Sequence, residues 1–198
     1  MKIGLLGGTF DPVHLGHIAI AREARNRLSL NKVLFVPTGQ PWLKANRTIA
    51  PAGDRIAMVK LAIVNSPYFE VSTVEIDRPG PSYTSDTLIS LKKGPGEDTE
   101  LFLILGWDSL NEMPKWHDPV AVVGKCTLVA ITRINGKPDL VELEKSIPGI
   151  KKKTILIDMK PFDMSSSEIR ERVSKGLSLK KFVPDLVENY IEAKGLYR

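Results

Sequence analysis

Six short runs rich in Val, Ile, Leu and Phe recur along the chain, separated by stretches long enough to hold a crossover helix. Lys2–Leu6, Lys32–Pro37, Phe69–Val74, Glu100–Leu105, Cys126–Thr132 and Lys153–Ile157 read as strands. Between and after them, Leu15–Leu28, Gly53–Asn65, Ser85–Lys92, Pro119–Gly124, Leu140–Ser146, Ser165–Lys175 and Pro184–Lys194 carry helical periodicity or helix-start residues. Parallel strands can be joined only by long connections, so this alternation predicts an α/β fold. The expected form is a doubly wound, Rossmann-like parallel sheet with helices on both faces.

With 198 residues, 42% hydrophobic and 26% charged, the chain suits one domain over residues 1–198 with a sizeable core. No apolar run reaches the roughly 18 residues of a membrane helix, and none near the start resembles a secretion signal, so a cytoplasmic protein with no membrane partner is expected. The net charge of +5 favours anionic partners without choosing among them. The run Lys151–Lys153 has no interleaved aromatics and reads as a solvated strand edge; with no RNA-binding motif in the chain, no nucleic-acid partner is expected. The single cysteine, Cys126, lies in an apolar run and reads as a buried structural residue.

The chemistry concentrates at the two ends. After the first strand the chain runs Gly7-Gly8-Thr9-Phe10-Asp11-Pro12-Val13-His14-Leu15-Gly16-His17, placing His14 and His17 at a helix N-terminus, where unpaired amides and the helix dipole favour a phosphate. A third glycine at dinucleotide-fingerprint spacing is missing, which disfavours a redox Rossmann enzyme. A zinc site would need further ligands, and His117 and Cys126 form no cluster with the two histidines in sequence. Near the other end, Met164-Ser165-Ser166-Ser167-Glu168-Ile169-Arg170 reads either as a plain capping box or as a second anion-binding helix start. Arg55, Met58 and Leu61 share one helix face, and the apolar pair reads as packing. Asp11 reads mainly as a turn residue before Pro12.

Together the two ends resemble the nucleotidyltransferase α/β phosphodiesterase superfamily. Gly8, Phe10, Pro12, His14, Gly16 and His17 match its N-terminal signature, and Ser165, Ser166, Ser167 and Arg170 cover its C-terminal one. Within it the chain is most similar to the bacterial nicotinate mononucleotide adenylyltransferases, through Arg78–Leu88, Gly106-Trp107-Asp108-Ser109-Leu110 with Trp116, and Arg133. One departure is a loop reading Pro41-Trp42-Leu43-Lys44 where that family often has Pro-Pro-His-Lys.

The resemblance implies that ATP and nicotinate mononucleotide are joined to nicotinate adenine dinucleotide with release of pyrophosphate, a step of NAD biosynthesis. It implies that His17 donates to the α-phosphate, that His14 contacts the phosphates of ATP, and that Arg170 with Ser165–Ser167 holds the departing pyrophosphate. Residues 165–198 would thus complete the triphosphate site, and Lys44 would reach the triphosphate or the mononucleotide phosphate. Gly8, Thr9 and Phe10 would line the nucleotide, with Gly106, Asp108 and Arg133 also on the ATP side. Asp108 reads as a ribose ligand or as a simple helix cap. Ser82, Tyr83, Thr84 and Trp116 would hold the pyridine, Trp116 having ordinary packing as its alternative. Mg2+ is expected with ATP, held mainly by phosphates, because the sequence shows no dedicated carboxylate cage. Nicotinamide mononucleotide or phosphopantetheine adenylyltransferases, and a nucleotide sensor without catalysis, are the competing readings; a homo-oligomer is left open.

Overall fold

The computed structural model describes residues 1–40, 49–92, 99–132, 138–160 and 164–198. The six strands are β1 (Lys2–Gly8), β2 (Lys32–Pro37), β3 (Phe69–Val71), β4 (Glu100–Gly106), β5 (Thr127–Thr132) and β6 (Thr154–Asp158). They form one sheet in the order β3-β2-β1-β4-β5-β6, and every neighbouring pair is parallel. The helices are α1 (Leu15–Leu28), α2 (Ala52–Ile63), α3 (Thr84–Lys92), α4 (Trp107–Asn111), α5 (Pro119–Lys125), α6 (Leu140–Ser146), α7 (Ile150–Lys153), α8 (Ser166–Ser174) and α9 (Asp185–Lys194), with a 3₁₀ turn at Met113–Lys115.

Strand periodicity explains the two-faced core. In β4, Leu101, Leu103 and Leu105 point to one buried cluster with α3, α5 and α6, whereas Phe102 and Ile104 point to another with α1, α2, α8 and α9. The chain therefore winds outward in both directions from β1 and β4. Their carboxyl ends, at Gly8 and Gly106, flank the point where strand order reverses, and a crevice opens there in sheets of this kind.

Four local expectations are corrected. Lys151–Lys153 is not a strand edge but the last turn of α7, whose start is held by the Glu144 carboxylate accepting from the Gly149 and Lys151 amides, both at 2.8 Å. β3 ends at Val71 rather than Val74, because β2 offers it only three residue pairs. α4 follows β4 without a break, its N-cap Gly106 lacking any side chain that could announce it. Cys126 caps the end of α5 rather than starting β5; its thiol is buried, bonded to the Val122 carbonyl, and pushed up to about 12 by burial, as suits a structural thiol.

Candidate active site

A cavity of about 430 Å³ opens at the switch point. Gly8, Thr9 and His17 form one wall, Gly106 and Trp116 lie at the end of β4 and beyond it, and Ser82, Tyr83 and Thr84 close the far side. Ser82 and Tyr83 lead directly into α3, so the cavity meets a helix N-terminus.

His14 is the N-cap of α1 and His17 its third residue. Their rings stack at 3.7 Å between centroids, and the edge of Phe10 abuts His17 at 5.0 Å. The His14 backbone amide donates to His17 Nδ1 at 3.2 Å. A nitrogen that accepts carries no proton, so in the neutral ring the proton of His17 sits on Nε2. Gly16 leaves little room in this packing: a Cβ there would meet His14 Nδ1 at 3.0 Å, a tight contact, and Met164 at 3.5 Å.

Burial drives the His14 pKa down from 6.5 to about 4, so its ring is neutral at pH 7. The unfolded chain takes up this proton near pH 6.5, whereas the folded chain resists until about pH 4. Stability is therefore expected to fall as pH drops through that window, by up to about 3 kcal/mol from this residue. Denaturant unfolding between pH 7 and pH 4 measures it; His14→Asn should flatten the slope, and an unchanged slope would refute the assignment.

The two sequence ends meet beside α1. Gly16 N–H donates to the Met164 sulfur at 3.2 Å, Ser166 Oγ donates to the Pro12 carbonyl at 2.9 Å, and Arg170 Nη1 donates to the Asp11 carbonyl at 2.5 Å. Ser165 caps α8 by accepting from the Glu168 amide, and Ser167 Oγ accepts from Arg170 Nη2. The starts of α1 and α8 are thus fastened side by side, although Ser165–Ser167 and Arg170 lie beyond the cavity wall.

Several expected residues stand differently. Phe10 is 2% exposed, packs on Phe35 within the core and lies against His17, so its ring backs the histidine. Phe10 has φ of 49°, a left-handed backbone that a bulky residue adopts only under constraint. Asp108 is exposed in the first turn of α4 with no capping bond, and it does not line the cavity. Ser82 lines the cavity, but its Oγ accepts from the Gly39 and Gln40 amides, so its side chain serves the loop. Lys44, Trp42 and Arg133 lie outside the described residues.

Some residues escaped sequence reasoning. His117, set aside there as an isolated histidine, stacks on Tyr83 at 4.2 Å and lines the cavity beside Trp116. Arg55 is 1% exposed, donating from Nε to the Ala50 carbonyl at 3.1 Å and from Nη1 to the Thr9 carbonyl at 2.9 Å. Its place on the same helix face as Met58 was the one signal available. Glu75 is buried at the cavity wall, accepts from Thr87 Oγ at 2.8 Å, and is raised in pKa by burial. No group of three His, Cys, Asp or Glu gathers as for a metal ion among the described residues, and none of the described helices is long and apolar enough to cross a membrane.

Residues 5–172 match the Cytidylyltransferase-like family. A protein of Dehalococcoides mccartyi named "Probable nicotinate-nucleotide adenylyltransferase" is 48% identical over 198 residues, spanning 100% of this chain and 97% of its own. A protein of the same name from a Roseiflexus species is 44% identical over 196 residues, covering 99% and 98%. The chain belongs to the nicotinate-nucleotide adenylyltransferase family. Its fold agrees with that membership: the Plasmodium falciparum nicotinic acid mononucleotide adenylyltransferase complexed with NaAD superposes with a TM-score of 0.81 at 22% identity, over 99% of this chain and 97% of that one.

Proposed function

We propose that this family member joins ATP and nicotinate mononucleotide, giving nicotinate adenine dinucleotide and pyrophosphate; its relatives are named as probable nicotinate-nucleotide adenylyltransferases. The observation that carries the reading is that His17 and the start of α3 face one cavity at the switch point of the sheet.

The 5′-phosphate of the mononucleotide attacks the α-phosphorus of ATP in line. A phosphorus–oxygen bond forms to the mononucleotide as the bond to the β-phosphate bridge breaks, and the electron pair leaves with pyrophosphate. The nucleophile is already anionic, so the protein needs to orient the two substrates and stabilise charge. With its proton on Nε2, His17 presents a neutral donor to the α-phosphate oxygens as their charge grows. His14, neutral from burial, braces His17 without placing a positive charge beside it. Ser165–Ser167 and Arg170 receive the β- and γ-phosphates, so residues 165–198 complete the triphosphate end. Lys44 is assigned to the phosphates and Arg133 to the ATP side on sequence alone.

On the acceptor side, amides at the start of α3 suit the nicotinate carboxylate, an anion at a helix N-terminus, while Trp116 offers a face to the pyridine. Magnesium enters as the complex of ATP, carried by the phosphates. The described residues offer no cage for it, and no step is assigned to a protein-held ion. A cytoplasmic place for the enzyme belongs to the same proposal.

Pyrophosphate release from ATP, with nicotinate mononucleotide, nicotinamide mononucleotide or phosphopantetheine offered in turn, tests the reading. The nicotinate substrate should be used best. Preference for another acceptor would overturn the assignment, and activity with none would make the protein a nucleotide sensor.

A further inference from the structure

Asp11 is more than the turn residue its sequence context suggests. The residue is 3% exposed, and its side chain joins three distant parts of the chain. Oδ1 accepts from the Ala50 amide at 3.1 Å and from the Tyr197 hydroxyl at 2.8 Å, and Oδ2 faces Arg170 Nη1 at 3.6 Å. The same Nη1 donates to the Asp11 carbonyl oxygen, so Arg170 grips this one residue through both backbone and side chain. Arg55 secures the neighbouring carbonyls of Thr9 and Ala50. Around it, Tyr190 of α9 donates to Asp54 of α2 at 2.8 Å, fixing the C-terminal helix against α2.

Asp11, Arg170 and Tyr197 do not line the cavity. A carboxylate buried this far is costly unless charge and hydrogen bonds compensate it, and here an arginine, a hydroxyl and an amide converge on it. We propose that Asp11 is a positioning residue that, held in turn by Tyr197, sets the guanidinium of Arg170 for the pyrophosphate end of ATP. The inference rests on the role given to Arg170 above. It has a directional consequence: a charge that orients Arg170 governs the ATP and pyrophosphate side of the reaction and leaves the pyridine side, on the far wall of the cavity, alone.

The test uses the full chain and compares product inhibition by pyrophosphate, KM for ATP and KM for the mononucleotide. Asp11→Asn keeps size and the Oδ1 acceptor but removes the charge. It is expected to weaken pyrophosphate inhibition and raise KM for ATP by roughly tenfold, with KM for the mononucleotide within about twofold of wild type. Tyr197→Phe should move the same two quantities in the same direction by a smaller factor, and it carries the test if Asp11→Asn does not fold. In an Arg170→Ala background, Asp11→Asn should add less than about twofold, because its effect passes through Arg170.

Fully additive effects would overturn the proposal, as would equal losses for both substrates or unchanged pyrophosphate inhibition in the single variants. Normal pyrophosphate inhibition in Arg170→Ala would overturn the role of Arg170 and this inference with it. A defective Arg170→Ala beside a normal Asp11→Asn would overturn this inference alone.

Discussion

His17→Ala is expected to lower turnover by a factor of about 10 to 1000 with the fold intact, the loss associated with one donor to a developing oxyanion. The expectation follows from how the ring is held. His17 stands in the first turn of α1, its Nδ1 takes the His14 amide, one face stacks on His14, and the Phe10 edge closes behind it. Four constraints on one partly buried ring fix where Nε2 points, and a donor fixed in advance pays no reorganisation as charge appears. Alanine removes that donor and leaves the helix start without a contact to Phe10, a structural loss of only about 1 kcal/mol. Turnover by pyrophosphate release, set beside thermal unfolding of the same variant, separates the two effects. Near-normal turnover would sink the catalytic role, and a collapse of the fold would show that the ring is structural.

How much of this could be read from sequence depends on the range of the interaction involved. The bounds of α1 and α6 follow from local pattern, since apolar spacing and flanking residues lie within the helix itself. The six strands follow for the same reason, while the shortness of β3 depends on its partner strand. The lysines of α7 misled because their helix starts at Gly149, with φ of 87°, and is capped by Glu144, features that charge patterning does not display. In the site, Gly8–His17 and Ser165–Arg170 were each visible as phosphate-favouring helix starts. Their fastening runs through bonds between residues 148, 154 and 159 positions apart. Asp11 was underestimated because two of its partners, Ala50 and Tyr197, are 39 and 186 positions away. The burial of Phe10 was not legible, because a signature match places a residue near the site without saying which way its ring turns.

Gly39→Ala is expected to be the most damaging change on the acceptor side. A Cβ at residue 39 would lie 2.2 Å from the Glu75 carbonyl oxygen and 2.9 Å from its carbon, and both are backbone atoms that cannot swing aside like the tip of a side chain. The loop beyond β2 would have to separate from the segment around Glu75. That seam is held by the Gly39 and Gln40 amides donating to Ser82 Oγ at 3.1 and 3.2 Å, and by the Ser82 amide donating to the Gln40 carbonyl at 3.1 Å. Overpacking of this kind costs on the order of 1–3 kcal/mol. The functional loss should exceed what that figure suggests, because Ser82 leads into Tyr83 and Thr84, whose positions shape the cavity wall opposite His17. KM for the mononucleotide is expected to rise roughly tenfold or more, with KM for ATP much less affected, since misplacement of a positioning group by about 1 Å is enough for such a loss. Steady-state kinetics with each substrate varied, together with chemical denaturation, measures both parts. Wild-type stability would show that the seam can open freely, and a rise confined to KM for ATP would place the pyridine elsewhere than at the start of α3.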